Sequence, residues 1–473
     1  MKDIQEMLEE PTRLETLGYR PELSRRLHIW HVVGLAMADV SPTMTVLLLT
    51  AGVFAVGGTF ALGANIILGI VVILIALSLG ELSSLYPIAG GMYSLVRYTL
   101  PIPLTWITML NYVIQGVIIP ASIALGIAQF AAALLPGLTH VQIAVAISSI
   151  VLATAIAIVR VELGALVTVA MVVVELVVLG IITASALLHP HQNLGTMVTH
   201  PVVLSNGALH PVTFGIMLAT LAPAFNMING YDASLGFSEE IIGGPRAVAK
   251  TVVVSAVLAV ILIIVPLAAA LVAAPNIKAF FEASAPVVYS VNHSLGPSAA
   301  TIVNLGVIIA LFNAMLSLFM YFARVLFTTG RDNMWWPTAN KALQKVNRFR
   351  VPGVAVITLA VPSVVLVFMS ALNWLIIFAG TVIAVVYFFI GIAAIVSRIK
   401  IRHDHDTAPY KMPWWPFPPL VVILFTGIAI VTQEIQFLAG EGALAAIALI
   451  LWGVFRKTRT NTQDEPIKKE IQV

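Results

Sequence analysis

The chain has no cysteine in its 473 residues, so disulfides and thiolate metal sites are excluded at once. Charge is the second scarcity. Asp, Glu, Lys and Arg make up only 10% of the sequence while 59% is hydrophobic; a soluble domain carries roughly 25% charged residues. Such a chain cannot keep its surface wet if it folds in water. The net charge of +3 gives no reason to expect a nucleic-acid partner. The opening stretch MKDIQEMLEEPTRLETLGYRPELSRRL mixes acidic and basic residues and lacks an apolar h-region, so a cleaved signal peptide is not expected.

What the chain has instead is long apolar runs. Ile66–Leu79, Val141–Val159, Leu166–Leu188, Val252–Ala274, Val354–Phe368 and Leu420–Val431 are nearly free of charge. Several reach or approach the ~20 residues that cross a bilayer core. The sequence reads as an all-α polytopic membrane protein of twelve transmembrane helices. They fall near 28–51, 55–82, 101–133, 141–160, 162–188, 212–237, 247–273, 298–326, 352–371, 373–397, 415–433 and 436–455. With the N-terminus inside, 24 of the 25 Lys and Arg lie on inner segments and only Lys278 lies outside. That bias supports the span count and places both termini in the cytoplasm of a cell-membrane protein. The loop 189–210 holds His189, His191, His200 and His210 without Lys or Arg. It reads as a solvated loop, since no paired i,i+4 spacing supports a metal site. Gly330–Pro352 reads as a short interfacial amphipathic helix with Trp335 and Trp336 at the headgroup level.

Polar residues inside the spans are then the informative ones. In the first span, MADVSPTMT interrupts the apolar pattern at Asp39, Val40, Ser41, Pro42 and Thr43. Pro42 has no amide to donate, and its ring clashes with the carbonyl four residues back. Two readings stand: unwound backbone lining a cavity, or a proline kink with Ser41 and Thr43 bonded back to their own helix. In the sixth span, FNMINGYDASLGFSEE (Phe225 to Glu240) has the same character. Asn229 and Gly230 favour a break, and Asp232 is placed to cap a second half-helix. Interruptions in corresponding spans point to an inverted-repeat transporter with its site at the midplane. Spans 1–5 (28–188) and 6–10 (212–397) would be the two five-helix repeats. Helices 11 and 12 (415–455) are additions, between a cytoplasmic N-terminal segment (1–27) and a tail (456–473). Half-helix N-termini would offer N–H groups to a carboxylate, and the broken C-terminal ends would offer carbonyls to an ammonium.

Glu175, in MVVVELVVLG of the fifth span, has no Lys or Arg near it in sequence. It is either a carrier of exchangeable protons or a structural acid hydrogen-bonded to a neighbouring helix. Asp39 is the other deep acid. Asn111, Tyr112 and Gln115 of span three, with Asn313 and Ser317 of span eight, either line the same cavity or hold helices together. Asn313 and Ser317 could supply oxygens to a sodium ion. Glu162, Glu239 and Glu240 fall near the inner interface, where solvated charge is ordinary.

Three motifs carry a resemblance. GELSSLYPIAGGMYSLVRY (Gly80–Tyr98) resembles the second-helix signature of the amino acid–polyamine–organocation (APC) superfamily. NGYDASLGFSEEIIGGPRAVAK (Asn229–Lys250) resembles its sixth-helix signature, and ARVLFTTGRDNMWWP (Ala323–Pro337) the end of its eighth helix. LGYRPELSRRL (Leu17–Leu27) and GYDAS are especially similar to the branch that handles GABA, choline and related amines. The resemblance implies a LeuT-type 5+5 inverted repeat with helices 1 and 6 broken at the midplane. It places the substrate between Asp39–Thr43 and Asn226–Asp232, with Phe225, Met227, Asn229, Gly230 and Tyr231 included. Where much of the family has Gly-Ser-Gly, whose amides hold a substrate carboxylate, this chain has Val40-Ser41-Pro42, with Asp39 just before. That departure shifts weight toward a cationic amine or an ω-amino acid. A gating aromatic of some members is replaced here by Asn226, beside Phe225. Some proton-coupled members place a lysine in helix five, in the neighbourhood of Glu175.

The expected function is a permease for amino acids or related amines, working by alternating access and coupled to protons through Asp39, Glu175 or Asp232. Exchange of substrates and a non-transporting nutrient sensor are the alternatives. No cofactor, metal or covalent chemistry is expected: zinc motifs, intramembrane His pairs and Ser/His pairs are absent from the spans. The expected partners are the small molecule, protons or an exchanged substrate, and the lipid bilayer, with the protein a monomer or homodimer.

Overall fold

Hydrocarbon offers no hydrogen bonds, so each apolar run has to satisfy its own backbone, and these runs do so as helices. The computed structural model describes residues 27–159, 162–349, 351–369, 371–403 and 408–459. The expected cytoplasmic segment before residue 27 and the tail after 459 lie outside them, as does the side chain of Glu162. The first run is α1 (Ile29–Val40), interrupted at Ser41; it resumes with one α turn (Pro42–Met44), a π turn (Thr45–Leu49) and α2 (Thr50–Gly57). Then follow α3 (Phe60–Leu85), α4 (Gly91–Thr99), α5 (Ile102–Leu134), α6 (Gln142–Val159) and α7 (Glu162–Leu188). After a short α8 (Leu194–Thr199) and a hairpin, the sixth span is α9 (Phe214–Ala219), α10 (Leu221–Met227) and a 3₁₀ segment (Tyr231–Phe237). The second half continues with α11 (Gly244–Val272), α12 (Ile277–Glu282), α13 (Pro286–Leu295), α14 (Pro297–Arg331), α15 (Pro337–Leu343) and α16 (Gly353–Met369). It closes with α17 (Leu372–His403), α18 (Phe417–Val431) and α19 (Ile435–Arg459).

Among the described residues nine helical stretches are long and apolar enough to cross a membrane, and α16 and α18 are shorter apolar helices. The chain is a multi-pass membrane protein. Its surface is inverted relative to a soluble fold. Val151, Leu152 and Ile156, Val173, Leu176 and Val177, and Ile302, Leu305 and Ile309 are exposed strips on α6, α7 and α14, while Asp39, Glu81, Glu175 and Asp232 are buried. Helices in lipid gain nothing from hiding apolar area against one another, so close approach at small residues holds them. At Gly380 of α17 a Cβ would fall 2.2 Å from the carbonyl oxygen of Ala222 in α10.

The histidine-bearing loop contains a hairpin the sequence analysis does not anticipate: β1 (Val202–Ser205) pairs antiparallel with β2 (Ala208–Pro211). Its turn is Asn206-Gly207, both at positive φ (50° and 74°), the Asn-Gly signal of a tight hairpin. Thr59 and Val202 tie the hairpin to the α2–α3 turn by two reciprocal bonds of 2.8 and 2.9 Å.

The opposite end is laced by ion pairs. Arg398 of α17 grips Glu81 of α3 with two bonds of 2.8 and 2.5 Å, and the Met412 amide adds a third at 2.6 Å. Arg97 meets Asp332 at 2.5 Å, Arg331 meets Glu239 at 3.4 Å and Arg324 meets Glu240 at 3.7 Å. Glu239 and Glu240 are therefore not solvated charges. Glu239 is buried and also accepts from the Ala89 amide, so it belongs to the packing between α14 and the loops around it. Trp335 likewise turns inward, donating to Thr329 Oγ1 at 2.8 Å and resting edge-on against Trp106, while Trp336 is half-exposed.

Removing one member of a buried pair strands the other in low dielectric. Glu81→Ala is expected to cost about 3 kcal/mol through Arg398, read as a lower melting temperature of the purified protein. Glu282→Ala, which breaks only the exposed pair with Lys278, is expected to change stability by less than about 0.5 kcal/mol.

Candidate functional site

The two interruptions foreseen in the first and sixth spans lie against each other. In the first, a single residue breaks the helix: Ser41 is left-handed (φ 38°) and Pro42 starts the next piece. In the second, α10 ends at Met227 and Gly230 turns the chain at φ 101° into the 3₁₀ segment. A Cβ on Gly230 would lie 2.9 Å from the Val40 nitrogen and 3.0 Å from both the carbonyl carbon and Oδ2 of Asp39. Only glycine meets both demands here, positive φ and backbone-to-backbone approach.

The restart at Pro42 exposes the N-terminal donors of a half-helix, and Glu175 of α7 fills the place. Ser41 Oγ donates to Glu175 Oε2 at 2.8 Å and the Thr43 amide to the same oxygen at 3.4 Å. Thr43 Oγ1 donates to the Glu175 backbone carbonyl at 3.1 Å. Ser41 and Thr43 thus bond across to α7 rather than back along their own helix, which removes the simple kink reading. A carboxylate at a helix N-terminus is the electrostatic arrangement that such ends favour. Glu175 Oε1 has no hydrogen-bond partner among the described residues, and Asn313 of α14 stands beside the carboxylate.

Asp232 does not cap a half-helix as expected. Gly230 is the cap residue of the 3₁₀ segment, and no side chain bonds there. The Asp232 carboxylate accepts instead from Tyr112 of α5 at 2.6 Å and Tyr321 of α14 at 3.3 Å, and the two hydroxyls also bond to each other. Asp39 lies close enough to Asp232 for their charges to interact, with Ser317 beside it; its Oδ1 has no partner among the described residues.

Of the other expected site residues, Asn229 Oδ1 accepts from Tyr387 at 2.9 Å, and Tyr387 packs its ring against Phe225 and Tyr231. Asn226 Nδ2 donates to the Ile376 carbonyl at 3.0 Å. Met227 receives the Asn65 amide on its sulfur at 3.2 Å. Asn313 is buried, and neither end of its amide has a hydrogen-bond partner among the described residues. Asn111 faces a different neighbour, Glu441 of α19, and Gln115 donates to the Asn111 carbonyl at 3.4 Å. On α5 it is Tyr112, the next residue along, that reaches Asp232. Sequence reasoning passed over Tyr321, Tyr387, Asn65 and Glu441. The first two had a visible signal: buried tyrosines in long apolar helices need a hydroxyl partner.

Three buried carboxylates therefore gather around two packed helix breaks, held by hydroxyls and amides. No Lys, Arg or His bonds to any of them among the described residues. Nor does any group of three His, Asp or Glu among these residues have metal-binding geometry. Just beyond the 3₁₀ segment, burial pushes the Glu240 carboxyl above its ordinary range, with the Arg324 guanidinium opposing.

Gly230→Ala is expected to destabilise the purified protein by about 2 kcal/mol or more, from left-handed strain and the clash with Val40. Gly34→Ala, inside α1 with open space around it, is expected to be neutral or stabilising by up to about 1 kcal/mol. Melting curves of the two variants check the contrast.

A family model described as amino acid permease matches residues 27–455. A curated relative, the branched-chain amino acid permease of Lactococcus lactis subsp. cremoris (strain MG1363), is 28% identical over 192 residues, and the match spans 40% of each chain.

Proposed function

We propose, on the premise that this chain belongs to the amino acid permease family, that it is a secondary active transporter of amino acids or related amines. The observation that supports this most is the contact between the two helix breaks, with Asp39, Glu175 and Asp232 buried around it and no Lys, Arg or His bonded to them among the described residues. The proposed architecture is the twelve-helix 5+5 inverted repeat, with residues 28–188 and 212–397 as its halves and both termini cytoplasmic in the cell membrane. Substrate sits at Asp39–Thr43 and Phe225–Tyr231, with Tyr387 and Asn313 at its edges.

Coupling follows from charge balance. A carboxylate that stays ionised in low dielectric without a counter-charge is costly, so a proton or the ammonium of the substrate supplies the missing positive charge. Glu175 occupies the half-helix N-terminus that would receive a substrate carboxylate. A zwitterion therefore gains that position when Glu175 takes up a proton and withdraws, and a simple amine does not compete for it. Asp232, gripped by two tyrosines from α5 and α14, links the occupancy of the site to the packing of those helices. The ion-paired end forms the closed gate of this conformation. At the hairpin end a cavity of about 530 Å³ opens above Leu47, Phe54, Gln129 and Phe281. Exchange of one substrate for another uses the same geometry with a second substrate in place of the proton. The similarity to a branched-chain amino acid permease adds Leu, Ile and Val to the candidates.

Thermal-shift measurements with branched-chain amino acids, GABA, choline and polyamines assign the substrate class by mass action. In proteoliposomes Glu175→Gln is expected to abolish accumulation driven by a pH gradient while sparing counterflow; retained concentrative uptake removes Glu175 from the coupling. Asp232→Asn is expected to reduce uptake at least tenfold or displace its pH dependence. Asp39→Asn is expected to weaken amines more than neutral zwitterions.

A further inference from the structure

At the ion-paired end, Arg97, Arg324, Arg331 and Arg398 each face a carboxylate. Other cations at that end form no ion pair among the described residues, and three of these share one pocket. Arg246 and Lys250 of α11 and Lys411 of the loop before α18 line one pocket of about 410 Å³. No acid lines it, and none of the three forms an ion pair among the described residues. Like charges around one concavity repel, and an anion between them relieves that repulsion.

The pocket is held in shape. Arg246 Nε donates to the Pro409 carbonyl at 2.9 Å, fixing the loop to α11. The Tyr410 amide donates to Ser84 Oγ at 3.3 Å, and the Tyr410 ring lies over Gly80 of α3, 3.1 Å from where a Cβ would stand. The floor is Val253 and Val254. Beyond Val254 the same face of α11 continues through Ile261 and Val265, which are 52% and 49% exposed. The site thus offers cations at the end of the bundle and an apolar strip running from them toward the bilayer centre.

We propose that this pocket binds the phosphate headgroup of an anionic phospholipid, with an acyl chain along the exposed face of α11. Basic pockets between transmembrane helices take lipid headgroups for these reasons. The apolar strip selects a lipid over free phosphate, which has no use for Ile261 and Val265. A lipid so bound bridges α11 and the α17–α18 connection, so it braces the segment that directly follows the 3₁₀ break.

The test uses full-length delipidated protein in neutral detergent, with bound lipid counted by native mass spectrometry. Phosphatidylglycerol is expected to be retained and phosphatidylcholine to be lost. At roughly tenfold for every 1.4 kcal/mol and about 1 kcal/mol per cation, Lys250→Gln with Lys411→Gln is expected to weaken phosphatidylglycerol binding roughly thirtyfold. Both side chains are exposed, so the double variant should keep the wild-type melting temperature without lipid. Lys278→Gln, exposed elsewhere, is the control and should bind as wild type. Equal binding by the double variant and wild type would overturn the proposal. So would equal stabilisation by inorganic phosphate, which would make this a simple anion site. Asp404 and Asp406 precede the loop in sequence. Lipid retention appearing only after both are replaced by Asn would assign the three cations to those carboxylates and overturn the proposal as well.

Discussion

The backbone contact of Gly230 with Asp39 and Val40 is the constraint on which the rest of the site depends. A membrane interior leaves no backbone polar group unsatisfied without cost, so two helix breaks are tolerated only where each is covered by something polar. Here they cover each other, and side chains from neighbouring helices finish the work: Glu175 at the first break, Tyr387 at the second. A larger residue at 230 would drive the breaks apart and leave both uncovered.

From that contact the charges fall into place. Glu175 sits where a half-helix presents free donors, and Asp232 sits between hydroxyls of two different helices. The bundle meanwhile uses its arginines elsewhere, on Glu81, Glu239, Glu240 and Asp332 at one end. This division of charge is economical for a carrier. In the proposed function the ion pairs form the closed gate, and the three buried carboxylates of the middle have no cation bonded to them among the described residues, a place that an arriving ammonium or proton can fill. Binding and neutralisation then become the same event, which is the physical basis for coupling in the proposed function.

Much of this was legible in the sequence because membranes make polar residues conspicuous. Pro42 after Ser41, and Gly230 between Asn229 and Asp232, marked both breaks, and Glu175 stood out in an apolar run. What the sequence concealed was who meets whom. Glu175 reads as isolated because its partners are 132 and 134 residues away. Asp232 reads as a cap because its tyrosine partners lie on helices that sequence spacing does not connect. Asn111 and Tyr112 are adjacent in sequence yet face different neighbours, since one step along a helix turns the side chain by about 100°. The Asn206-Gly207 hairpin was readable and was hidden only by the polarity of the histidine-rich segment around it.

Because the chain has no native cysteine, a single thiol placed at the first break reports on the central claim directly. Ser41→Cys in otherwise unaltered protein can be labelled by a small maleimide with and without whichever amino acid or amine stabilises the wild type. If the two breaks form the substrate site, saturating substrate slows labelling at least tenfold, while an equally charged molecule that does not stabilise the protein leaves it unchanged. An identical labelling rate in the presence and absence of a stabilising substrate would contradict the account.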